Sequence, residues 1–326
     1  MKTGELLNLL REEKRGYLSG EDLSNQLGVS RTAIWKHIHQ LEESGYRIAA
    51  VPHLGYRLLE VPDLLLPDEI RSGLKTRLLG QRAVCFKETT STNDRALELA
   101  ASGAPEGTLV AAENQTQGRG RYQRSWLSKP NANLLFSLIL RPPWTFEQIP
   151  MITLLLAVAM TRALHTQTGL PARIKWPNDI LIQGAKVCGI LTEMRTQADQ
   201  INFLVCGIGV NVNTAPGGTL KNKAASLSSL LGKPVARLPL LQRILEEIEA
   251  AYMAARESGF GSVLEQWPRL SLTPLGTTLG LEIQGGEKIE GTAMGIDETG
   301  ALLVRMETGI TRRFSSGEIQ IQSIKV

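Results

Sequence analysis

A chain of 326 residues, 42% of them hydrophobic, is long for one domain and apolar enough to fill two or three cores. Its 36 basic and 32 acidic residues leave a formal charge of +4, which excludes a global electrostatic pull toward nucleic acid, so any duplex binding has to be local. Cys85, Cys188 and Cys206 are odd in number and show no Cys-x-x-Cys spacing, which argues against a disulfide framework or a zinc site and for small apolar strand residues.

The N-terminus leads into a helix pattern with an early acid, Glu5, and not into a basic segment with an apolar stretch and a cleavage site, so a cytoplasmic protein is expected. Leu6, Leu7, Leu9 and Leu10 mark the first helix. Ser19-Gly20-Glu21-Asp22 opens a second through Leu23 and Leu27, ended by Gly28. Ser30 is placed to cap a third, in which Ile34, Ile38 and Leu41 share one face. Two strands, 46–51 and 56–59, supply a wing around Pro52-His53-Leu54-Gly55. The pattern is a winged helix-turn-helix. Arg31, Thr32, Trp35, Lys36 and His39 face outward on the third helix, which would enter the major groove while Arg57 of the wing meets the backbone. A winged helix used for protein contacts is the alternative.

Val61-Pro62-Asp63 is a short linker, and from Leu64 to Pro268 helices alternate with strands, as in an α/β domain. Thr89-Thr90-Ser91-Thr92-Asn93-Asp94 precedes a helix predicted over 95–101, which sets hydroxyls and an amide at a positive helix end. Plain N-capping explains the same residues. Between Asn114 and Phe146 the chain carries Arg119, Arg121, Arg124, Lys129 and Arg141 and no acid. Such a window calls for an anion, which Gly118-Arg119-Gly120-Arg121 could wrap with guanidinium forks and backbone N–H groups.

Pro150 fits the first turn of a helix running to Thr168. Its apolar run, Met151 to Met160, is interrupted by Thr153 and falls short of the roughly 20 residues of a membrane span. A strand at 172–174 leads to Lys175-Trp176-Pro177-Asn178-Asp179, where proline ends the ladder and holds Trp176 extended. Lys175 is then either a solvated edge lysine or a fixed ammonium beside a carboxylate and a phosphate. Gly207-Ile208-Gly209-Val210-Asn211-Val212-Asn213 ends a strand with glycines that admit a ligand and amides that can bind one. A helix follows over 238–258, with Leu241, Ile244, Leu245, Ile248 and Tyr252 on one face. Beyond Pro274, short strands separated by Gly285-Gly286, by 297–300 and by Ser315-Ser316-Gly317 read as a small β-barrel.

Ser-Thr-Asn at 91–93, Gln115-x-x-Gly118-Arg119-Gly120-Arg121, Lys175-Trp-Pro-Asn-Asp, Lys186-x-x-Gly189-Ile190-Leu191-x-Glu193 and Gly207-x-Gly209-x-Asn211, in that order, closely resemble biotin protein ligase. With the leading winged helix, the chain resembles the bifunctional bacterial class that is also the biotin operon repressor. The resemblance implies a winged helix over 1–62, a central α/β (α+β) ligase domain with a mixed sheet over 63–272 and an SH3-like β-barrel over 273–326. It implies that biotin and ATP give biotinoyl-5′-AMP, and that a lysine of the biotin carboxyl carrier protein of acetyl-CoA carboxylase then takes the biotinoyl group.

By motif position, Ser91, Thr92, Asn93 and Gln115 would hold the ureido head of biotin, and Gly118, Arg119, Gly120 and Arg121 would cover its carboxylate and the phosphate. Lys175 and Arg121 would be catalytic, neutralising charge as the carboxylate attacks. Trp126, Asn178 and Asn211 would join Arg119, Arg121 and Lys175 around the adenylate, and Asp179 would serve Mg²⁺. Where the family loop usually has glycine this chain has Gln123, which bears on how the loop closes.

Carboxylate and triphosphate repel, so such a reaction needs preorganised positive charge. Its mixed anhydride must also be covered against water. The segment 116–124 is therefore expected to be mobile without ligand and ordered by adenylate, and that ordering to complete a homodimer that presents two winged helices to operator DNA. Three rivals stay open: a ligase whose winged helix is not regulatory, a repressor that senses a nucleotide without catalysis, and a lipoate-type acyl ligase of the same fold. The last usually carries an Arg-Arg-x-Gly-Gly-Gly type loop, which this chain lacks.

Overall fold

The structure, a computed structural model, describes residues 2–13, 16–197, 200–217, 223–283 and 287–320. The chain divides into two compact units, Met1–Leu64 and Leu65–Val326. The predicted turn at Gly285-Gly286 lies outside the described residues.

The first unit contains helices α1 (Lys2–Glu12), α2 (Gly20–Leu27) and α3 (Arg31–Glu43) and the antiparallel hairpin β1 (Arg47–Val51) and β2 (Gly55–Glu60). Ser19 and Ser30 cap α2 and α3, accepting from Asp22 N at 3.0 Å and Ala33 N at 3.2 Å, and left-handed Gly28 closes α2. Leu6, Leu7, Leu10, Leu23, Leu27, Ile34, Ile38 and Leu41 are buried as one core. Leu18 and Tyr56 exchange backbone hydrogen bonds of 2.9 and 2.8 Å, which fasten β2 to the helices. The close approach requires Gly55, at φ +112°, because a Cβ there would meet the Leu18 carbonyl.

The second unit runs through α4 (Pro67–Arg71), β3 (Ala83–Phe86), α5 (Thr92–Ala101), β4 (Leu109–Ala112), β5 (Leu134–Leu140), α6 (Ile149–Thr168), β6 (Arg173–Lys175), β7 (Asp179–Ile182), β8 (Ala185–Gln197), β9 (Gln200–Val210), α7 (Leu227–Leu231), α8 (Arg237–Ser258) and α9 (Gly261–Leu270). Its strands form a mixed seven-stranded sheet, β3-β4-β5-β9-β8-β7-β6, in which only β3 and β4 pair in parallel. Five further strands, β10 (Thr278–Glu282), β11 (Lys288–Ile296), β12 (Leu302–Arg305), β13 (Thr311–Phe314) and β14 (Glu318–Gln320), make an antiparallel sheet of order β13-β12-β11-β10-β14 in the same unit.

Strand alternation decides what each face of the large sheet does. Phe136, Leu138 and Leu140 of β5, Cys188 and Ile190 of β8, and Leu204, Cys206 and Ile208 of β9 point into one core with α6 and α8. The opposite face carries Ile139, Phe203 and Val205, covered by Ala96 and Ala100 of α5. Farther along that face the residues are Gly207, under Asn93 at the start of α5, and Gly189 and Gly209, under the Trp126 indole. There the sheet carries no side chains of its own, and that is where the cavity opens.

Helix α6 spans 20 residues, more than its apolar run suggests, with Pro150 in its first turn and left-handed Gly169 at its end. By length and composition alone, Phe146–Thr168 could cross a bilayer. Burial accounts for that composition: Met151 to Met160 all lie in the core, apart from half-buried Thr153, which pairs with Thr192 at 3.1 Å. The cysteines are strand residues, as their apolar setting suggested. Burial pushes the Cys85 and Cys206 thiols up to about 12 and raises Cys188 as well, so none is poised as a thiolate nucleophile.

Candidate active site

A cavity of about 910 Å³ lies between the glycine stretch of the sheet, the start of α5, the arginine loop and the turn before β14. Gly189 and Gly209 face each other across β8 and β9, as do Leu191 and Gly207. The Trp126 indole lies across this floor: a Cβ on Gly209 would come within 2.5 Å of it, and one on Gly189 within 2.9 Å. The glycines are thus required by side chains that pack where their own would stand.

One end of the cavity is neutral and preformed. Helix α5 starts at Thr92, three residues earlier than expected, and Ser91 holds the N-cap position without a side-chain capping bond. The capping explanation of these residues therefore fails, and their side chains are used otherwise. Thr92 donates to Gln115 Oε1 from its backbone at 2.6 Å and from its hydroxyl at 3.0 Å. Ser137, on the same face of β5, lies 2.8 Å from Thr92 Oγ1 and donates to Asn93 Oδ1 at 2.6 Å. Asn93 in turn donates to Glu193 Oε2 at 2.6 Å.

The other end is cationic. Residues 118–126 fold back on themselves, with Trp126 N donating to Gly118 O at 2.8 Å and Gly120 N to Arg124 O at 2.7 Å. At the tip Tyr122 and Gln123 both sit in the left-handed region, at φ +55° and +58°. That is a conformation glycine takes more cheaply, so Gln123 stands at a site of backbone strain that glycine would relieve. Arg121 lies over the Tyr122 ring at 5.0 Å and donates to Asn178 Oδ1 at 3.2 Å and Gly317 O at 3.4 Å. Lys175 ends β6 across a tight turn from Asp179, and its ammonium is 3.9 Å from Glu318. Arg124 pairs with the same carboxylate at 2.7 Å and thereby holds Glu318 below the usual glutamate range, and the pairing raises Arg124. Lys186 is 2.7 Å from Asp179 and 5.4 Å from the Trp126 ring.

Ser91, Thr92, Asn93, Gln115, Arg119, Gly120, Arg121, Trp126, Lys175, Asn178, Asp179 and Asn211 all line this one cavity. Gly118 does not line it; it supports the loop from behind. Two cations of the acid-free window also lie elsewhere. Arg141 donates to the carbonyls of Ala100, Ala104 and Asn202, which makes it structural, and Lys129 is exposed away from the lining. Among the described residues no cluster of three or more His, Cys, Asp or Glu could hold a metal, and Asp179 is already paired with Lys186.

Lys186 and Glu193 stand in a motif whose residue types alone assign them no role, and Ser137 and Glu318 belong to no motif. Period-two alternation from Gly189 puts Glu193 on the cavity face, and from Gly209 the pairing with β5 carries the face to Ser137. Glu318 had no local signal. Two buried side-chain atoms at the site have no hydrogen-bond partner, the donor Trp126 Nε1 and the acceptor Asn211 Oδ1.

In the first unit Arg31, Thr32, Trp35, Lys36 and Arg57 are exposed as expected, with Trp35 57% accessible and stacked on His39. Arg31 pairs with Glu21 and Arg47 with Glu60, which trims the free positive charge of this surface.

Residues 85–211 match the model of the biotin/lipoate A/B protein ligase family, residues 4–57 an HTH domain, and residues 281–321 the biotin protein ligase C-terminal domain. The class is thus a ligase of the biotin and lipoate type with a helix-turn-helix unit ahead of it. The bifunctional ligase/repressor BirA of Bacillus subtilis is 41% identical over 96% of both chains, and that of Escherichia coli is 31% identical over 94% of this chain and 93% of its own. The biotin protein ligase of Aquifex aeolicus, solved with biotin and ATP, matches 74% of this chain and 98% of its own at 33% identity and a TM-score of 0.64. The chain belongs to the bifunctional ligase/repressor family of biotin protein ligases.

Proposed function

We propose that the cavity joins biotin to AMP and passes biotin on to a carrier lysine, and that the winged helix reports the state of the cavity to operator DNA. The observation that carries this reading is the convergence of a neutral hydrogen-bonding end, Thr92 and Gln115, with three cations, Arg121, Lys175 and Lys186, in one cavity. A ligand with a polar uncharged head and an acidic tail fits that polarity.

Biotin's ureido head lies against Ser91, Thr92 and Gln115, its ring system between them and the Trp126 indole that covers the glycine floor, and its carboxylate toward the cations. A carboxylate oxygen attacks the α-phosphate of ATP; the new P–O bond forms as the bond to pyrophosphate breaks. Lys175 and Arg121 neutralise the oxygens that gain charge, and Lys186 assists from the opposite strand. Asn211 Oδ1 and Trp126 Nε1 offer an acceptor and a donor to the adenylate, and Asn178 steadies Arg121. In the second step the amine of a lysine on the biotin carboxyl carrier protein attacks the acyl carbon, an amide forms and AMP leaves.

Magnesium arrives as the counter-ion of ATP. One carboxylate already bound to a lysine is not a resident metal site, whereas Mg²⁺ on a nucleotide keeps water and phosphate oxygens and needs one or two carboxylates at most. The protein works in the cytoplasm, where ATP, carrier and operator occur together, and dimerises when adenylate orders the loop, presenting two winged helices to a palindromic operator. Biotin-dependent ATP–pyrophosphate exchange tests the chemistry: exchange with biotin and none with lipoate is expected, and the reverse would move the protein to the lipoate class. A gel shift on operator DNA, stronger with biotin and ATP than without, tests the repressor half, and no response at all would leave a ligase with a non-regulatory winged helix.

A further inference from the structure

In the biotin-ligase reading Arg119 belongs to a loop that meets anions, yet its surroundings are anionic. Its Nη1 lies 2.5 Å from Asp94 Oδ1, and its Nη2 lies 3.1 and 3.2 Å from the two oxygens of Glu193. One positive group stands against two negative ones. A cluster with net negative charge repels a carboxylate or a phosphate. Burial works against the charge on Arg119, but the hydrogen bonds and fields of Asp94 and Glu193 outweigh it and hold the guanidinium above its ordinary range.

The same cluster reaches the neutral end. Glu193 accepts from Asn93 Nδ2 at 2.6 Å, and the remaining hydrogen-bonding capacity of Asn93 goes to Ser137 and to Leu191 O at 3.4 Å. Asn93 is buried and can come this close to the sheet because Gly207 has no Cβ. Asp94 is the next residue of α5. The start of α5, the Glu193 region of β8 and the base of the arginine loop are therefore joined through one guanidinium. Of the other two loop arginines that line the cavity, Arg124 meets a single carboxylate, Glu318, and Arg121 meets none, being held by the neutral oxygens of Asn178, Gly317 and Tyr122.

We propose that Arg119 is a positioning residue: with Asp94 and Glu193 it fastens the cationic loop to the head-group end, and it leaves neutralisation of substrate anions to Arg121, Lys175 and Lys186. The proposal rests on the biotin-ligase reading of the cavity. Its consequence is that the loop pivots at Arg119, so that only residues 120–124 are free to move, and that occupancy of the head-group end is felt at the anion end through Asn93 and Glu193.

The test is a double-mutant cycle on the full chain with Arg119→Gln, Glu193→Gln and both together, read in two ways. In ligand-free protein, tryptic cleavage after Arg121 and Arg124 should quicken in each single variant and no further in the double. In biotin-dependent pyrophosphate exchange, each single variant should raise the KM for biotin about tenfold. The double should match either single within about twofold, because one strut is broken only once. A double variant about 100-fold worse, or a rise in the KM for ATP that Arg119→Gln shows and Glu193→Gln does not, would overturn the proposal by making Arg119 an anion ligand in its own right. Should Glu193→Gln fail to fold, Asp94→Asn breaks the other half of the cluster and is read the same way. Absence of any biotin-dependent exchange in the unsubstituted chain would sink the ligase reading, while the cleavage rates would still judge the strut.

Discussion

The two ends of the cavity are built on opposite plans. At the head-group end Thr92, Asn93 and Ser137 are buried, with Gln115 half-buried against them; Thr92 and Ser137 bond Gln115, Asn93 and each other over 2.6 to 3.0 Å, and the Asn93 amide nitrogen goes on to Glu193 at 2.6 Å. At the anion end the cations stand on a loop, a turn and a strand edge, and Arg124, Lys175 and Lys186 meet carboxylates that a substrate anion could displace, at 2.7 to 3.9 Å. Recognition of an uncharged head rewards rigidity, because an unpaired buried amide or hydroxyl is costly. Handling of anions that come and go within one catalytic cycle rewards exchangeable partners. Substitutions at the two ends should therefore differ in kind, KM for biotin at the first and turnover at the second.

The sharpest break in that contrast comes from Lys175→Ala. A charge-assisted hydrogen bond contributes about 1.5 to 3 kcal/mol, so biotin-dependent pyrophosphate exchange should fall about 10- to 100-fold. The KM for biotin should hardly move. Stopped exchange assays at saturating ATP measure it, and a variant that lost biotin affinity instead would erase the distinction between the ends.

The degree to which this division was readable beforehand follows from how far each interaction reaches along the chain. Ser19, Gly28 and Ser30 act within four residues of themselves, so the winged helix could be written down from its caps and its leucine spacing. The five motifs of the cavity were also visible, as residue types suited to an anion and an amide. Their wiring was not. Arg119 to Glu193, Asn93 to Glu193 and Arg124 to Glu318 join positions 74 to 194 residues apart, and only the register of β5, β8 and β9 brings most of them together. For the same reason Arg141 looked like an anion ligand in an acid-free window, when its neighbours in space are helix-end carbonyls.

The head-group end can be broken without touching any polar group. Gly207→Ala adds one methyl group, which would stand against the side-chain amide of Asn93, and Asn93 is held on both sides by Ser137 and Glu193 and cannot yield. Overpacking of this kind costs about 1 to 3 kcal/mol. Thermal unfolding should register the loss, and the KM for biotin should rise about fivefold or more while exchange at saturating biotin stays near normal. Gln115→Ala is a milder probe of the same end. It removes a neutral acceptor that serves Thr92, so the KM for biotin should rise about two- to tenfold. Unchanged affinity in both variants would move the head-group site elsewhere in the cavity.

The smallest effect is expected from Glu318→Gln, which tests whether the carboxylates at the anion end are structural or are only companions of the cations. Arg124 and Glu318 are both substantially exposed, so their 2.7 Å ion pair should contribute less than about 1 kcal/mol to stability, and less still at high salt. The pairing lowers the Glu318 pKa in the folded chain below its unfolded value of about 4.3. A depressed carboxylate stabilises the fold above the unfolded pKa and loses that contribution as pH falls through the folded one. The difference in Tm between the original chain and Glu318→Gln should thus be small and constant near neutrality, and it should shrink only below about pH 4. A difference that instead grew on acidification, or one of several kcal/mol at neutral pH, would show that Glu318 braces the turn before β14 and is not exchangeable, and the contrast between a rigid end and an exchangeable end would then apply to Lys175 and Lys186 alone.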